Sequence, residues 1–290
     1  TIDLAGGHFH VKPGAYLDAD GVTISGGAGK NNKGGAFYVD NTDAMLELFD
    51  VVLSGNSGSW GGAIYINGAA EVHMQRCRLT GNLATQEGGA VFTEGEGVLE
   101  VEATIFDANS ASLRGGAVSG EGALTLNSVI MMANHAEDGG AVRWDGGTFA
   151  IHNVTFVENR ASDDGPAIHI FSSPVGEIRS CIFTDNTING ALSNPVHGGS
   201  AATAVVSHCL CDTSSCISGG AAWTYTFALT NQSATYVSYS ANNTYDDNLR
   251  LAEGSPGVDD GDTSLGADSA GSGTSANDMG AYGGSYGDVL

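Results

Sequence analysis

Positive charge is scarce in this chain. Its 290 residues hold 10 Lys plus Arg against 33 Asp plus Glu, a formal net charge of −23. Three lysines (Lys12, Lys30, Lys33) and seven arginines form no basic stripe able to neutralise phosphates, which excludes nucleic acid as a partner. The same charge repels anionic lipid surfaces. Proline is equally thin at 5 residues, and glycine does not fall at every third place, so the chain is not collagen-like. The 5 cysteines (Cys77, Cys181, Cys209, Cys211, Cys216) are too few for a disulfide-dense miniprotein. Their spacing gives no paired C-x-x-C zinc site. No stretch approaches the roughly 18 apolar residues of a membrane-spanning helix, so no membrane insertion by this chain is expected. The chain opens on Thr1 without a charged-then-apolar leader and reads as a processed chain or an excerpt.

Glycine is abundant instead, 44 residues or about 15%, roughly twice the usual ~7%. Hydrophobic residues make up 41%, enough for a core and too many for a disordered acidic tail. The glycines are ordered. A triplet recurs at Gly34-Gly35-Ala36, Gly61-Gly62-Ala63, Gly88-Gly89-Ala90, Gly115-Gly116-Ala117 and Gly139-Gly140-Ala141, with Gly165-Pro166-Ala167 as a variant. Between triplets an apolar residue precedes an Asn by three places: Leu53/Asn56, Leu79/Asn82, Phe106/Asn109, Met131/Asn134, Phe156/Asn159, Phe183/Asn186. Both motifs step by 24 to 27 residues, the period of a solenoid.

The segments between the motifs alternate apolar and polar, as in Met45 to Leu53, Val98 to Phe106 and Phe149 to Phe156. Period-2 patterning rich in β formers predicts strands, about three per repeat. Stacked repeats of this kind make an all-β, single-domain parallel β-helix, right-handed by the crossover rule, with about 25–27 residues per coil. Three columns are expected to point inward. They are Phe37, Ile64, Val91, Val118, Val142, Ile168; Leu48, Met74, Val101, Leu126, Ile151, Ile178; and Val51, Cys77, Thr104, Val129, Val154, Cys181. Asn56, Asn82, Asn109, Asn134, Asn159 and Asn186 are expected to form an inward ladder at a corner, their amides bonding along the stack. The glycine pairs supply positive φ or close coil-to-coil approach. The organisation reads as residues 1–33, N-terminal lead-in coils or cap; 34–216, regular repeats; and 217–290, irregular coils and a Gly/Asp-rich tail.

The two motifs resemble the paired GGAI and FxxN repeats of the polymorphic outer-membrane protein family. Gly61-Gly62-Ala63-Ile64, Phe106 to Asn109, Phe156 to Asn159 and Phe183 to Asn186 match in full, and the resemblance covers residues 34–186. It implies a secreted β-helical passenger. The membrane β-barrel that usually ends that family has no counterpart here. The tail is similar to the bacterial β-helix proteins called choice-of-anchor Q, whose ends read approximately RLxxGSPxIDxGD and then DxGAY. Here stand Arg250-Leu251-Ala252-Glu253-Gly254-Ser255-Pro256, Val258-Asp259-Asp260-Gly261-Asp262 and Asp278-Met279-Gly280-Ala281-Tyr282. That resemblance implies an exported, bacterial, cell-surface β-helix and little about activity.

Four sets of side chains carry possible chemistry. Arg114, Arg143 and Arg179 are candidates for the base of a pectate-lyase-like enzyme, and stacking gathers Glu87, Asp138 and Asp164 into one column with Arg114 between the first two. Arg114, Asp138 and Asp164 are thus the catalytic candidates; the alternative is a solvated acidic edge neutralised by one Arg. Tyr38, Tyr65 and Phe92 follow the inward residue and should stack as an exposed aromatic stripe, suited to sugar rings or a protein interface, or simply to cross-coil packing. By the same alternation Arg143 should face outward. Asp259, Asp260 and Asp262 lie in an oxygen-rich loop that could hold Ca²⁺, although no cofactor is required. His73 and His152 lie several coils apart and give no metal site. Cys211 and Cys216 bracket a short loop and are the candidate disulfide; Cys181 and Cys209 should stack as buried thiols.

The favoured expectation is a structural or adhesive protein acting through its faces and ends, with other copies of itself, surface proteins or glycans as partners. The alternatives are a polysaccharide lyase or glycoside hydrolase, and a non-catalytic glycan-binding module.

Overall fold

The computed structural model describes residues 1–29, 32–220, 222–238, 248–258, 260–265 and 279–281. Strands wind through these residues as a parallel β-solenoid of about seven turns. One coil serves for all. Ile64–Asn67 lies in a nine-stranded sheet, Glu71–Gln75 and Arg78–Thr80 lie in two arms of a fifteen-stranded sheet, and Leu83–Glu87 lies in a seven-stranded sheet. The regular coils therefore hold four strands, not three. The largest sheet bends between its arms at a left-handed residue, Arg76 with φ 53° in this coil and Asp50, Ala103, Ser128 and Asn153 in its neighbours. Further along, the arms run together as the ten-residue strands Ala123–Met132 and Thr148–Val157.

Each further corner also has its left-handed residue. Gly81, at φ 61°, turns the chain just before Asn82, and Gly88, at φ 65°, opens the triplet. The second glycine of the triplet has a different duty. A Cβ on Gly62 would strike the carbonyl of Gly89 in the next coil and the backbone of Leu83. One glycine is needed for conformation, the other for space.

In-register pairing lays equivalent side chains over one another. Met74 sits between Leu48 and Val101, and Val91 between Ile64 and Val118. All three expected inward columns are buried. Phe156 and Phe183 stack inside with ring centroids 5.0 Å apart. The asparagines run down one corner as a ladder. Each of Asn56, Asn82, Asn109, Asn134 and Asn159 sends both its backbone N and its Nδ2 to the Oδ1 of the next, at 3.0 to 3.1 Å. Asn186 ends the run by donating to the Phe156 and Thr184 carbonyls.

The repeat motif lapses after Asn186, yet the coil does not. Thr187–Ile188 makes a small antiparallel pair with Ala191–Leu192, and parallel stacking resumes at Val196–Gly198 and Thr203–Cys211. Cys211 and Cys216 are disulfide-bonded, their Cα atoms 5.5 Å apart. Cys181 and Cys209 are free and fully buried, and burial pushes the Cys181 thiol well above its usual range.

A second apolar cluster lies outside the coil. Ile130, Met132, Val157, Ile182 and Leu210 face outward from the large sheet and are covered by Tyr236, Leu249, Leu251, Met279 and Ala281. The covering chain is pinned through its own N–H groups, Gly280 N donating to the Ser180 carbonyl at 2.7 Å and Ala281 N to Thr155 Oγ1 at 3.0 Å.

Candidate functional site

The nine-stranded sheet carries one outward column from end to end: His10, Tyr38, Tyr65, Phe92, Ser119, Arg143, His169, His197, Ser218. Beside it, at the corner before the triplets, runs a second: Lys33, Trp60, Glu87, Arg114, Asp138. Asp164 continues it, its carbonyl accepting from Gly139 N at 2.9 Å. The first half of this double column is aromatic. The second half is charged.

In the aromatic half His10 stacks on Tyr38 at 4.9 Å, and Tyr38–Tyr65 and Tyr65–Phe92 follow at 5.5 Å each. The stripe is not open to solvent throughout. Tyr65 is only 1% exposed. Lys33 reaches over its ring, 4.3 Å from the centroid, and donates to its hydroxyl at 2.7 Å, while that hydroxyl donates to Glu94. Burial, and then Glu94, hold the Tyr65 phenol well above its ordinary pKa. Tyr38 is half-buried; burial and its hydrogen bond to Asp40 raise its pKa to about 12. Tyr38 and Phe92 therefore remain accessible on either side of a covered Tyr65.

In the charged half Arg143 is not outward-facing in effect, with a side chain 2% exposed. Its guanidinium is drawn down between Asp145, at 2.7 Å from Nε, and Asp138, at 3.3 Å, and lies 4.4 Å from the Phe171 ring centroid. A buried cation is retained only with such partners. Arg114 donates to Glu87 at 3.1 Å, and Ser119 bonds the other oxygen of that carboxylate at 3.1 Å. Arg179, the third candidate base, is paired with Asp262 and Glu177 at 2.8 Å each. Burial raises the Asp138 pKa against the pull of Arg143, and Asp163 and Asp164 push it the same way. The structure does gather the catalytic candidates Arg114, Asp138 and Asp164 on one edge.

His169 and His197 join that edge. Their rings lie 4.8 Å apart, and His197 Nδ1 is 3.3 Å from Asp164 Oδ1 and 3.3 Å from Ser218 Oγ. Burial, with Arg143 nearby, lowers the His169 pKa to about 3, so its imidazole is neutral. A shallow cleft of about 570 Å³ opens above Asp164, His169 and His197 and reaches Gly219. His197 escapes a reading of the triplets, because Pro195-Val196-His197 stands where Ala167-Ile168-His169 stood one coil before. The signal was the Val-His pair itself, following a strand-like gap of about one coil.

Of the proposed tail ligands, Asp259 lies outside the described residues, as do Asp278 and Tyr282. Asp262 is tied to Arg179 at 2.8 Å and accepts from Ser264 N at 3.0 Å, and its own N bonds Ser180 Oγ at 2.7 Å. Burial alone would raise its pKa; the bonds from Ser264 and Arg179 overcome that and take it to about 2. Asp260 is partly buried nearby. His73 approaches Glu71 and Glu100 rather than His152, which pairs with Glu177 at 2.8 Å.

These features define a parallel β-solenoid repeat protein with laddered faces. The family model described as Chlamydia polymorphic membrane protein (Chlamydia_PMP) repeat matches residues 50–67, the stretch from the bend at Asp50 to the end of Ile64–Asn67. That repeat points to a surface or outer-membrane-type protein with a β-helix fold. No curated protein and no solved structure matches the chain. Among the described residues no helix is long and apolar enough to cross a membrane.

Proposed function

We propose that the chain is an exported, surface-displayed β-helix that works by adhesion and self-association through its faces and coil ends. The observation that carries this reading is a set of strands whose outer edges take no partner among the described residues. Ile2–Asp3, Phe9–Val11 and Tyr16–Asp20 are the edge strands of two sheets, and Leu4, Phe9, Leu17 and Val22 remain only partly buried over the core. Edges of this kind pair with a further coil or a second chain. The Asn ladder supports the reading by making the coil stiff. The tail motif around Arg250 to Asp262 keeps the resemblance to choice-of-anchor Q as the finer family proposal.

Sedimentation of the chain over a range of concentrations, with and without Ca²⁺, tests it. Concentration-dependent assembly that is lost when Leu17→Lys charges the end supports the proposal. A monomer at every concentration removes self-association, and adhesion must then be sought on the faces.

Glycan contact is the second reading, favoured by the accessible pair Tyr38 and Phe92. Retention on a glycan array, lost in a Tyr38→Ala, Phe92→Ala double variant, would support it. A lyase is less favoured, since its base must be a free guanidinium or amine and Arg114 is bonded to Glu87. Product formation from acidic or neutral polysaccharides would reverse that order.

A further inference from the structure

We propose that Asp164, His169 and His197 form a binding site for a divalent transition metal ion of the zinc type. The topology builds the pair of imidazoles. His169 follows the inward Ile168 in Ile168–Ile170, and His197 follows the inward Val196 in Val196–Gly198. These strands are parallel neighbours in register, so the two rings leave the same face of the sheet from adjacent rungs. Asp164 enters from the corner just before Gly165. One ligand atom from each of the three lies within 4.8 Å of the other two. That spacing lets a small inward movement of side chains bring all three onto one ion at ordinary bond lengths of about 2.0–2.2 Å.

A second observation points to a ligand. His169 Nδ1 is buried and has no hydrogen-bond partner among the described residues. Its side chain is 6% exposed, and the nearest acidic oxygen, Asp138 Oδ1, stands 3.7 Å away. A buried ring nitrogen without a partner has lost its water for nothing, and a bond to a metal ion restores what was lost. Phe171 packs edge-on against the same ring at 5.7 Å and limits its movement.

The donor set selects the ion. Two imidazoles and one carboxylate suit zinc and its neighbours in the first transition row, whereas calcium takes six to eight oxygens. The open cleft over Gly198, Gly199 and Ser200 leaves room for water or an external ligand as the fourth donor. Asp138, Asp163 and Asp164 also approach one another, and this neighbouring group of carboxylates is the calcium alternative.

Untagged chain, freed of metal, is titrated with Zn²⁺, Co²⁺ and Ca²⁺ by calorimetry, with visible absorption read for Co²⁺. One Zn²⁺ per chain is expected, with Co²⁺ bands of low coordination number. His197→Ala and Asp164→Asn should each weaken Zn²⁺ binding at least about tenfold, with circular dichroism unchanged. His197 and Asp164 are partly exposed, so these variants spare the core. No uptake of Zn²⁺, or uptake that neither variant weakens, overturns the site. Uptake of Ca²⁺ without Zn²⁺ overturns it too, in favour of the carboxylates.

Discussion

Asn82 gives two hydrogen bonds to a single atom of Asn109, from its backbone N at 3.1 Å and from its Nδ2 at 3.0 Å, both to Oδ1. Its remaining amide hydrogen goes to the Leu53 carbonyl at 3.0 Å. Asn109 repeats the pattern with Asn134 and the Leu79 carbonyl. The corner is therefore closed by side chains that stand in for backbone. Asn109→Ala strands two donors on Asn82 and opens the Leu79 carbonyl, all in a buried corner. With about 1–3 kcal/mol for each buried group left unpaired, the fall in unfolding free energy should be about 3 kcal/mol, read by urea denaturation. Asn109→Asp keeps the acceptor but buries a charge, and should cost at least as much. A loss well under 1 kcal/mol for both would show that water replaces the ladder.

The two kinds of glycine separate under substitution. Gly55 has φ 60° and, among the described residues, open space where a Cβ would go, so Gly55→Ala should cost only the left-handed strain, about 1 kcal/mol. Gly62→Ala meets the backbone of Gly89 and Leu83, which cannot move without parting the coils. It should prevent folding or reduce stability by more than about 3 kcal/mol. Thermal unfolding of the two variants side by side decides the matter; equal losses would refute the steric role of the second glycine.

Inward columns were legible in the sequence because in-register parallel stacking repeats one residue type at one place. Leu48, Met74 and Val101 announce their face by period alone. Outward positions were legible as positions and not as environments. Tyr65 is covered by Lys33 and Glu94, long side chains whose reach alternation does not encode. Arg143 sits in the outward phase of its strand yet is drawn under Asp138 and Asp145. His197 was hidden because register is held by backbone bonds even where Pro195 replaces the triplet alanine. The tail's place was hidden as well, although Ile130, Met132, Val157 and Ile182 form an outward apolar patch that required a cover.

Arg143 offers a test of that buried charge. It neutralises Asp138 and Asp145 from within the sheet surface. Arg143→Ala leaves the Asp138 carboxylate half-buried among Asp163 and Asp164 and removes packing from Phe171. Stability at neutral pH should fall by about 3 kcal/mol. Arg143→Met, which keeps much of the volume, should lose less. The deficit of both should shrink as the solution is acidified and Asp138, its pKa already raised, takes up a proton. A deficit independent of pH would assign the effect to packing alone.

Asp262 makes the opposite prediction about acid. Its carboxyl titrates at about 2 in the folded chain and at about 3.9 when unfolded. A depressed folded pKa means that the folded state binds the proton less readily. The resulting stabilisation is complete above about pH 4 and is lost as pH falls toward 2. Partial solvent screening of the Arg179 bond puts it on the order of 1–2 kcal/mol. Asp262→Asn should therefore lower the melting temperature at pH 6, and the gap from the unsubstituted chain should close on approaching pH 2. Because Asp262 also fastens its segment to Ser180 through its backbone N, hydrogen exchange at Gly280 and Ala281 should quicken in the variant at pH 6. Unaltered exchange there, together with an unaltered melting temperature, would mean that the apolar contacts of Tyr236, Leu251 and Met279 hold the tail on the sheet without the ion pair.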